Sequence, residues 1–369
     1  MTALYDAVIV GGSFAGLAAA QALRGHHVLL LDARPIGTHQ TSTCGIPLPT
    51  MQAVGAESAT LEVHDSLVLH TGGRAIHYTL PVPYATFDYQ AFCQAMLAAT
   101  DAVVRIARVT GVVGRSVLTA EGPIPARYVV DASGWQGLTA ADDRTACARP
   151  AYGYGIETEL PGRHIPGPGL HFYFDKELVP SGYAWAFGCG ASTRLGICSF
   201  APGVALGPRL ARHLERFGLQ PGRTHGGVIA FGRRAPVVAD RFCVGDAAGG
   251  CLPLTAEGIR TAILSGTHCG QAISAALAGL LTDRAAQVRY RRMMRVRGPY
   301  HAALRALQAI VARTPDAVLA GAGGLFAPPV LSRLILRFYL TASGGFAVAA
   351  RSTLLPPPRK RDSGRSIGG

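Results

Sequence analysis

Three glycine-bearing turns, far apart in the chain, carry residue types suited to holding a dinucleotide. The first is Gly11-Gly12-Ser13-Phe14-Ala15-Gly16, set between a short β-branched apolar run at 7–10 and an Ala/Leu-rich stretch at 14–23. Glycines let a backbone turn sharply and approach a pyrophosphate, whose charge then rests on the free N–H groups of the following helix. Asp32 stands 21 residues after Gly11, close to the spacing at which an acid accepts hydrogen bonds from an adenosine ribose. The middle glycine of the usual G-x-G-x-x-G is Ser13, a small hydroxyl that fits the turn and can donate to a phosphate. A glycine-rich βα turn without a ligand is the competing reading; the strand context and Asp32 weigh against it. A serine nucleophile is excluded, because G-x-S-x-G requires glycine where Ala15 stands.

The second turn is Asp131-Ala132-Ser133-Gly134, at the end of an apolar run that reads as a buried strand. The third follows a strand at 242–244 that stops at Gly245-Asp246; a loop with Gly249, Gly250 and Pro253 comes next, then a helix from about 256. A strand-end acid such as Asp246 can take a ribityl hydroxyl. A helix start at 255–259 can stabilise negative charge on a reduced flavin ring. Two further groups have chemical potential. Cys44 lies in a long Gly/Pro/Thr-rich loop, and loops of that length are often functional. Tyr183, Trp185 and Phe187 alternate along one strand, so their rings share a face, either core or substrate wall.

The elements that position these groups follow from periodicity. Residues 5–32 read as strand, turn, helix, strand. Residues 61–78 alternate across Gly72-Gly73 as an antiparallel hairpin, and 87–98 form an amphipathic helix with Phe92, Met96 and Leu97 inward. Strands are expected at 102–119 and 126–130, and 151–200 is strand-rich and aromatic. A short helix at 209–217 leads into a Gly/Arg linker at 225–234. Residues 285–297 are a basic helix, 302–320 continue helical, and 330–340 are apolar with Arg333 and Arg337; such helices either pack with a solvated face or lie on a membrane surface. The tail 356–369 has a disordered composition.

Composition bounds the partners. The chain has 369 residues, 49% hydrophobic and 15% charged, enough for two cores and too apolar for global disorder. No signal peptide is expected, since the first strand begins almost at once, and no apolar run reaches the roughly 20 residues of a bilayer span. The net charge is +13, yet only Lys176 and Lys360 of 35 basic residues are lysine and asparagine is absent. That pattern reads as base-composition bias as much as selection for a polyanion, so nucleic-acid binding is not expected. Eight cysteines include no C-x-x-C pair, and no metal site is expected.

Taken together, GGSFAG with Asp32, DASGW at 131–135 and GDAAG…PLTAEGI at 245–259 resemble the FAD-dependent oxidoreductases of the aromatic-hydroxylase fold. Within that group the chain is most similar to the geranylgeranyl reductase family. Gly249 stands where hydroxylases usually have His, T-x-E-G-I at 255–259 is typical of the reductases, and Tyr183-Ala184-Trp185-Ala186-Phe187 matches their Y-x-W-x-F substrate motif. Thr43-Cys44-Gly45 sits where that family has a Cys-Gly loop beside the flavin. Gly188-Cys189 replaces the usual Pro-Lys after the aromatic motif, and Asp88-Tyr89 replaces an acid–base pair.

The resemblance implies an α/β fold: a Rossmann-like FAD-binding domain (1–45, 84–150, 236–285), an interleaved β-sheet substrate domain (46–83, 151–235), a helical C-terminal region (286–355) and the tail (356–369). It implies FAD held by Gly11, Gly12, Ser13, Ala15, Gly16, Asp32, Ala33, Arg34, Thr43, Cys44, Gly45, Val109, Asp131, Gly134, Gly245, Asp246, Gly258 and Ile259. NAD(P)H or another reduced carrier would supply electrons to a cytoplasmic enzyme, peripheral to the membrane through its basic helices. The implied reaction is reduction of carbon–carbon double bonds in an isoprenoid or similar apolar substrate. Tyr183, Trp185 and Phe187 would line the tunnel, and Cys44 would be either proton donor or structural thiol. A monooxygenase on the same fold is the alternative reaction; a basic membrane- or nucleic-acid-associated flavoprotein without turnover is a third reading.

Overall fold

The computed structural model describes residues 4–138 and 151–345, so Cys147 and the tail at 356–369 lie outside the described residues. In chain order the strands are β1 Tyr5–Val10, β2 Val28–Asp32, β3 Gly45–Pro47, β4 Thr60–Thr71, β5 Arg74–Phe87, β6 Val103–Ile106, β7 Val109–Val113, β8 Ser116–Thr119, β9 Gly122–Asp131, β10 Tyr152–Pro161, β11 Leu170–Tyr173, β12 Gly182–Cys189, β13 Ser192–Ser199, β14 Thr224–Ala230, β15 Val237–Val238 and β16 Arg241–Cys243. The helices are α1 Phe14–Ala22, α2 Leu48–Ala53, α3 Tyr89–Ala98, α4 Leu206–Glu215, α5 Ile259–Leu277, α6 Asp283–Val296, α7 Gly298–Arg313, α8 Asp316–Leu325 and α9 Pro329–Ala342.

β1 is the spine of the first sheet. It runs parallel between β2 and β9, with Val8 opposite both Leu29 and Val129. Both faces of β1 are covered, which is why it reads as an unbroken apolar run rather than an alternating one. Ala7 and Ile9 face a core with α1 and α5, whereas Val8 and Val10 face Leu29, Leu31, Val117 and Ile124. The strand order is β15-β16-β9-β1-β2-β6, so the three glycine turns all leave the same end of neighbouring parallel strands. That end is where α/β sheets bind ligands.

Small residues bring the two site helices together. A Cβ on Gly266 would lie 2.1 Å from the Ala15 carbonyl oxygen, and one on Gly270 2.6 Å from that of Ala19. The Gly-x-x-x-Gly stripe of α5 therefore meets the alanine stripe of α1 backbone to backbone, and the N-termini of both helices open on one space. The second sheet, β14-β10-β13-β12-β11-β4-β5-β3, stands over that space with α8 and α9 packed against β4 and β5.

Several boundaries move. The stretch 225–234, expected to be a linker, is largely strand β14, paired antiparallel with β10. Its glycines are packing residues: a Cβ on Gly226 would come within 2.1 Å of the Gly155 carbonyl oxygen. Residues 102–119 fold as three strands, and 302–320 break at Thr314-Pro315, where proline cannot continue the α7 ladder. The helix placed from about 256 starts at Ile259, because Leu254 and Ala256 have positive φ (68° and 51°) and hold a tight loop ahead of it.

Candidate active site

At the Gly11–Gly16 turn, backbone geometry leaves room only for glycine. Gly11 has φ 107°, and a Cβ there would lie 2.2 Å from the Ala132 carbonyl oxygen. Asp32, at the end of β2, accepts from the Gly12 N–H at 2.7 Å and the Arg34 N–H at 2.9 Å, pinning the turn to the next strand. Ser13 precedes α1 without capping it; its hydroxyl lies 3.1 Å from the Tyr89 hydroxyl. The first N–H groups of α1 are thus free of any side-chain cap, and Ser13, Phe14 and Ala15 line a cavity.

The other turns reach that cavity from two sides. Ala132 and Gly134 line it, while the buried Asp131 carboxylate is engaged in its own loop, accepting from Ser133 Oγ at 2.6 Å and the Leu138 N–H at 2.9 Å. Gly245 is held by Ser265 Oγ at 2.9 Å and packs on Ala15. Asp246 beside it lines the cavity; burial pushes its carboxyl up to about 6, with Arg234 pulling the other way. Gly258 and Ile259 open the equally uncapped α5 onto the same space. Two uncapped helix N-termini, backbone that a Cβ would fill and a carboxyl aimed inward suit a dinucleotide with a polyol linker. FAD fits the residues present: the α1 turn for the pyrophosphate, Asp246 for ribityl hydroxyls and the α5 N-terminus for the ring. Gly11, Gly12, Gly16, Asp32, Ala33, Arg34, Val109 and Asp131 lie behind or beside this cavity rather than in its wall.

The loop carrying Thr43, Cys44 and Gly45 closes one side. Cys44 has φ 58° and is 1% exposed; burial pushes its thiol well above the usual range, with the nearby Arg194 opposing, so the sulfur stays protonated. The residue that fixes this loop was not anticipated. Arg194 of β13, 3% exposed, donates to the Thr43 carbonyl at 3.1 Å, the Phe87 carbonyl at 3.0 Å and Glu159 at 2.9 Å. An arginine directly before the apolar run 195–198 of β13 was the available sign.

Tyr183, Trp185 and Phe187 are both core and wall. They pack with Leu170, Cys198 and Phe172 and line the cavity. The Tyr183 hydroxyl donates to the Thr255 carbonyl at 2.7 Å, tying β12 to the loop before α5, and Trp185 Nε1 donates to Glu157 at 2.8 Å. That loop is also strapped to α9: Tyr339 OH donates to Glu257 at 2.6 Å and lies 2.8 Å from Thr255 Oγ1, while Arg260 bridges Glu257 and Ser343.

The whole cavity, about 980 Å³, runs from the helix N-termini into a space between β4, β5 and β11 on one side and α7–α9 on the other. Its far walls are apolar: Leu67, Leu69, Leu80, Leu170, Phe172, Leu319, Phe326, Ile335 and Leu336. Leu307, Phe326 and Ile335 line it and are also exposed, as are Trp135 and Tyr154, so it opens among α7–α9 as well as beside β10. A dinucleotide cradle thus runs directly into a long hydrocarbon-lined chamber.

No protein-family model matches the chain. It is 29% identical over 320 residues to a digeranylgeranylglycerophospholipid reductase of Methanoculleus marisnigri, covering 74% of this chain and 77% of that one. In structure it is similar to a geranylgeranyl bacteriochlorophyll reductase-like protein of Thermoplasma acidophilum, with a TM-score of 0.79 at 19% identity over 91% of this chain and 96% of the other. PqsL of Pseudomonas aeruginosa, a probable FAD-dependent monooxygenase, superposes with a TM-score of 0.68 at 17% identity, covering 88% of this chain and 100% of that one.

Proposed function

We propose that this chain, an FAD-dependent oxidoreductase with a geranylgeranyl-reductase-like fold, reduces carbon–carbon double bonds of an isoprenoid or similar apolar substrate. The observation that carries the reading is the continuity of the cavity: the uncapped N-termini of α1 and α5 and the leucine-lined chamber share one space. Reduced FAD bound there supplies hydride to one alkene carbon. The chain's part is to bind, orient and exclude water. Ser13–Ala15 and the α1 N-terminus would hold the phosphates, Asp246 the ribityl chain, and Gly258–Ile259 the ring edge that gains negative charge. The walls from β4, β11 and α9 align a flexible hydrocarbon and keep water from the reacting carbons. Cys44 is a candidate acid by its position in the cavity wall, and Cys44→Ser protein with full turnover and normal flavin binding would remove it from that role.

The sheet built on β1 is assigned to FAD and the sheet built on β12 to substrate, with NAD(P)H or another reduced carrier as electron donor. We assign peripheral membrane contact to α7–α9 rather than to the basic helix α6. Helix α6 buries Ala286, Tyr290 and Met294 against the body, whereas Ile310, Leu325, Val330, Leu334 and Phe338 are exposed beside Arg333 and Arg337. No single described helix is long and apolar enough to cross a membrane, but α8 and α9, bent at 102°, would pass for a broken span by length and composition. An in-plane contact there puts the cavity opening against lipid.

The test is anaerobic. Photoreduced protein is mixed with a polyprenyl compound, or with oxygen and an aromatic acceptor. Flavin reoxidation by the polyprenyl compound, with a product heavier by two hydrogens per bond, supports the reading; oxygen-dependent hydroxylation alone would establish the monooxygenase instead.

A further inference from the structure

Adding hydride to an alkene leaves its second carbon in need of a proton; the Cys44 thiol is 1% exposed and its hydrogen-bond partners are the hydroxyl and carbonyl of Ser42. We infer that His225, held by Glu157, carries that proton, an assignment that rests on the reductase reading.

Glu157 of β10 is 2% exposed and lines the cavity. An ionisable carboxyl in such a place is costly unless its oxygens are engaged. One oxygen, Oε2, accepts from Trp185 Nε1 at 2.8 Å. The other has no aligned hydrogen bond; the group nearest it is His225 Nε2 at 3.1 Å, in ion-pair range but off the line of a straight bond. An indole N–H needs only a neutral acceptor, so a carboxylate with one oxygen left for an imidazole is unexplained by packing.

The backbone places the pair. Glu157 and His225 are directly opposite in the β10–β14 ladder, and glycines at 226 and 227 let β14 approach β10 and the Thr41 loop closely. His225 lines the cavity and its side chain is 29% exposed, so it meets both the chamber and water. Other charged groups act on this pair from neighbouring elements: Glu159 of β10, His39 of the loop after β2, and Arg194 of β13, which stands among Glu157, Glu159 and Cys44.

The chemistry balances with these groups alone. Imidazolium has two donors; Nε2–H faces Glu157, leaving Nδ1–H for delivery. As hydride reaches one carbon, the π pair bonds the proton from Nδ1 at the other, the Nδ1–H bond breaks, and His225 is left neutral. A proton from water at its exposed edge restores it. Glu157 touches no reacting atom; it is a positioning residue that holds the ring.

The assignment is tested on the FAD-bound protein. In single-turnover reoxidation of the reduced flavin by a polyprenyl alkene, His225→Gln slows the step about 100-fold or more. Reoxidation by oxygen and the flavin spectrum stay as in wild type, which verifies folding. Added imidazole restores part of the rate in His225→Ala. Glu157→Gln, which keeps an acceptor for Trp185, loses about tenfold and changes the alkaline limb of the pH profile, where a proton donor is lost. Nitrogen-15 histidine spectra of the resting oxidised protein give a readout independent of turnover: the His225 ring resonances move in Glu157→Gln. Wild-type rate and pH profile in His225→Gln, or an unmoved His225 resonance in Glu157→Gln, overturn the assignment while leaving the reductase reading intact. Failure of the wild-type flavin to react with any alkene overturns both.

Discussion

Replacing Arg194 by glutamine should loosen the flavin loop and the fold together. The side chain is 3% exposed and satisfies two main-chain carbonyls, Thr43 and Phe87, besides its ion pair with Glu159. Glutamine is too short to reach both carbonyls. Each buried acceptor left without a donor costs about 1–3 kcal/mol. The Glu159 side chain is 37% exposed, so the lost ion pair adds only about 0.5 kcal/mol. Relief of arginine's own burial offsets part of this, leaving a net loss of about 2–4 kcal/mol. Because the Thr43 carbonyl belongs to the cavity wall, FAD affinity should weaken about tenfold, equivalent to about 1.4 kcal/mol. Urea unfolding of the FAD-saturated protein reads the first figure, and recovery of flavin fluorescence on dilution reads the second. An unfolding free energy within about 0.5 kcal/mol of wild type, with unchanged FAD release, would refute the claim that Arg194 holds this loop.

Gly196→Ala should push Trp185 out of place, since the new Cβ would lie 2.2 Å from its ring; we expect a loss of about 1–3 kcal/mol and a changed indole fluorescence, checked by denaturant titration. Burial holds His70, His213 and His301 at about 4, against an ordinary 6.5. The unfolded chain therefore takes up protons below pH 6.5 that the folded protein refuses, so stability should be level above about pH 7 and fall between 6.5 and 4. For the fully covered His213 the loss is on the order of 3 kcal/mol, and His213→Gln should flatten that part of the pH–stability curve. Leu334→Glu with Phe338→Glu should reduce co-sedimentation with anionic liposomes at least tenfold without changing the flavin spectrum, whereas charge reversal on α6 should change it little.

The cofactor end of the molecule was legible in sequence because its requirements are local. Glycine at 11 and 16 answers a backbone too close for a side chain, Gly245 a positive φ against the Ala15 methyl, and Asp32 ends a strand beside the turn it braces. Ala15, Ala19, Gly266 and Gly270 record the contact between α1 and α5 once their spacing is noticed. What was not legible depends on residues brought together across sheets. Glycine-rich β14 looked like a linker because its glycines serve a neighbouring strand rather than a turn. A strand-end acid such as Asp131 has the same spelling whether it serves a cofactor or braces its own loop, and the bonds to Ser133 and Leu138 were not legible. The start of α5 was placed early because positive φ at Leu254 and Ala256 leaves no compositional mark. Glu157 and Arg194 are charged residues buried within strands; their presence was visible, but His225 and Thr43, which they meet, are 68 and 151 residues away.

The claim that alkene and flavin share one chamber is tested most directly by filling its far end. Leu336→Trp places an indole in the apolar wall where α9 packs against β5. In anaerobic stopped flow, reoxidation of the reduced flavin by a polyprenyl alkene should slow at least tenfold, while reoxidation by oxygen keeps its wild-type rate. Equal rates with the alkene before and after substitution, or equal slowing with alkene and oxygen, would contradict the account.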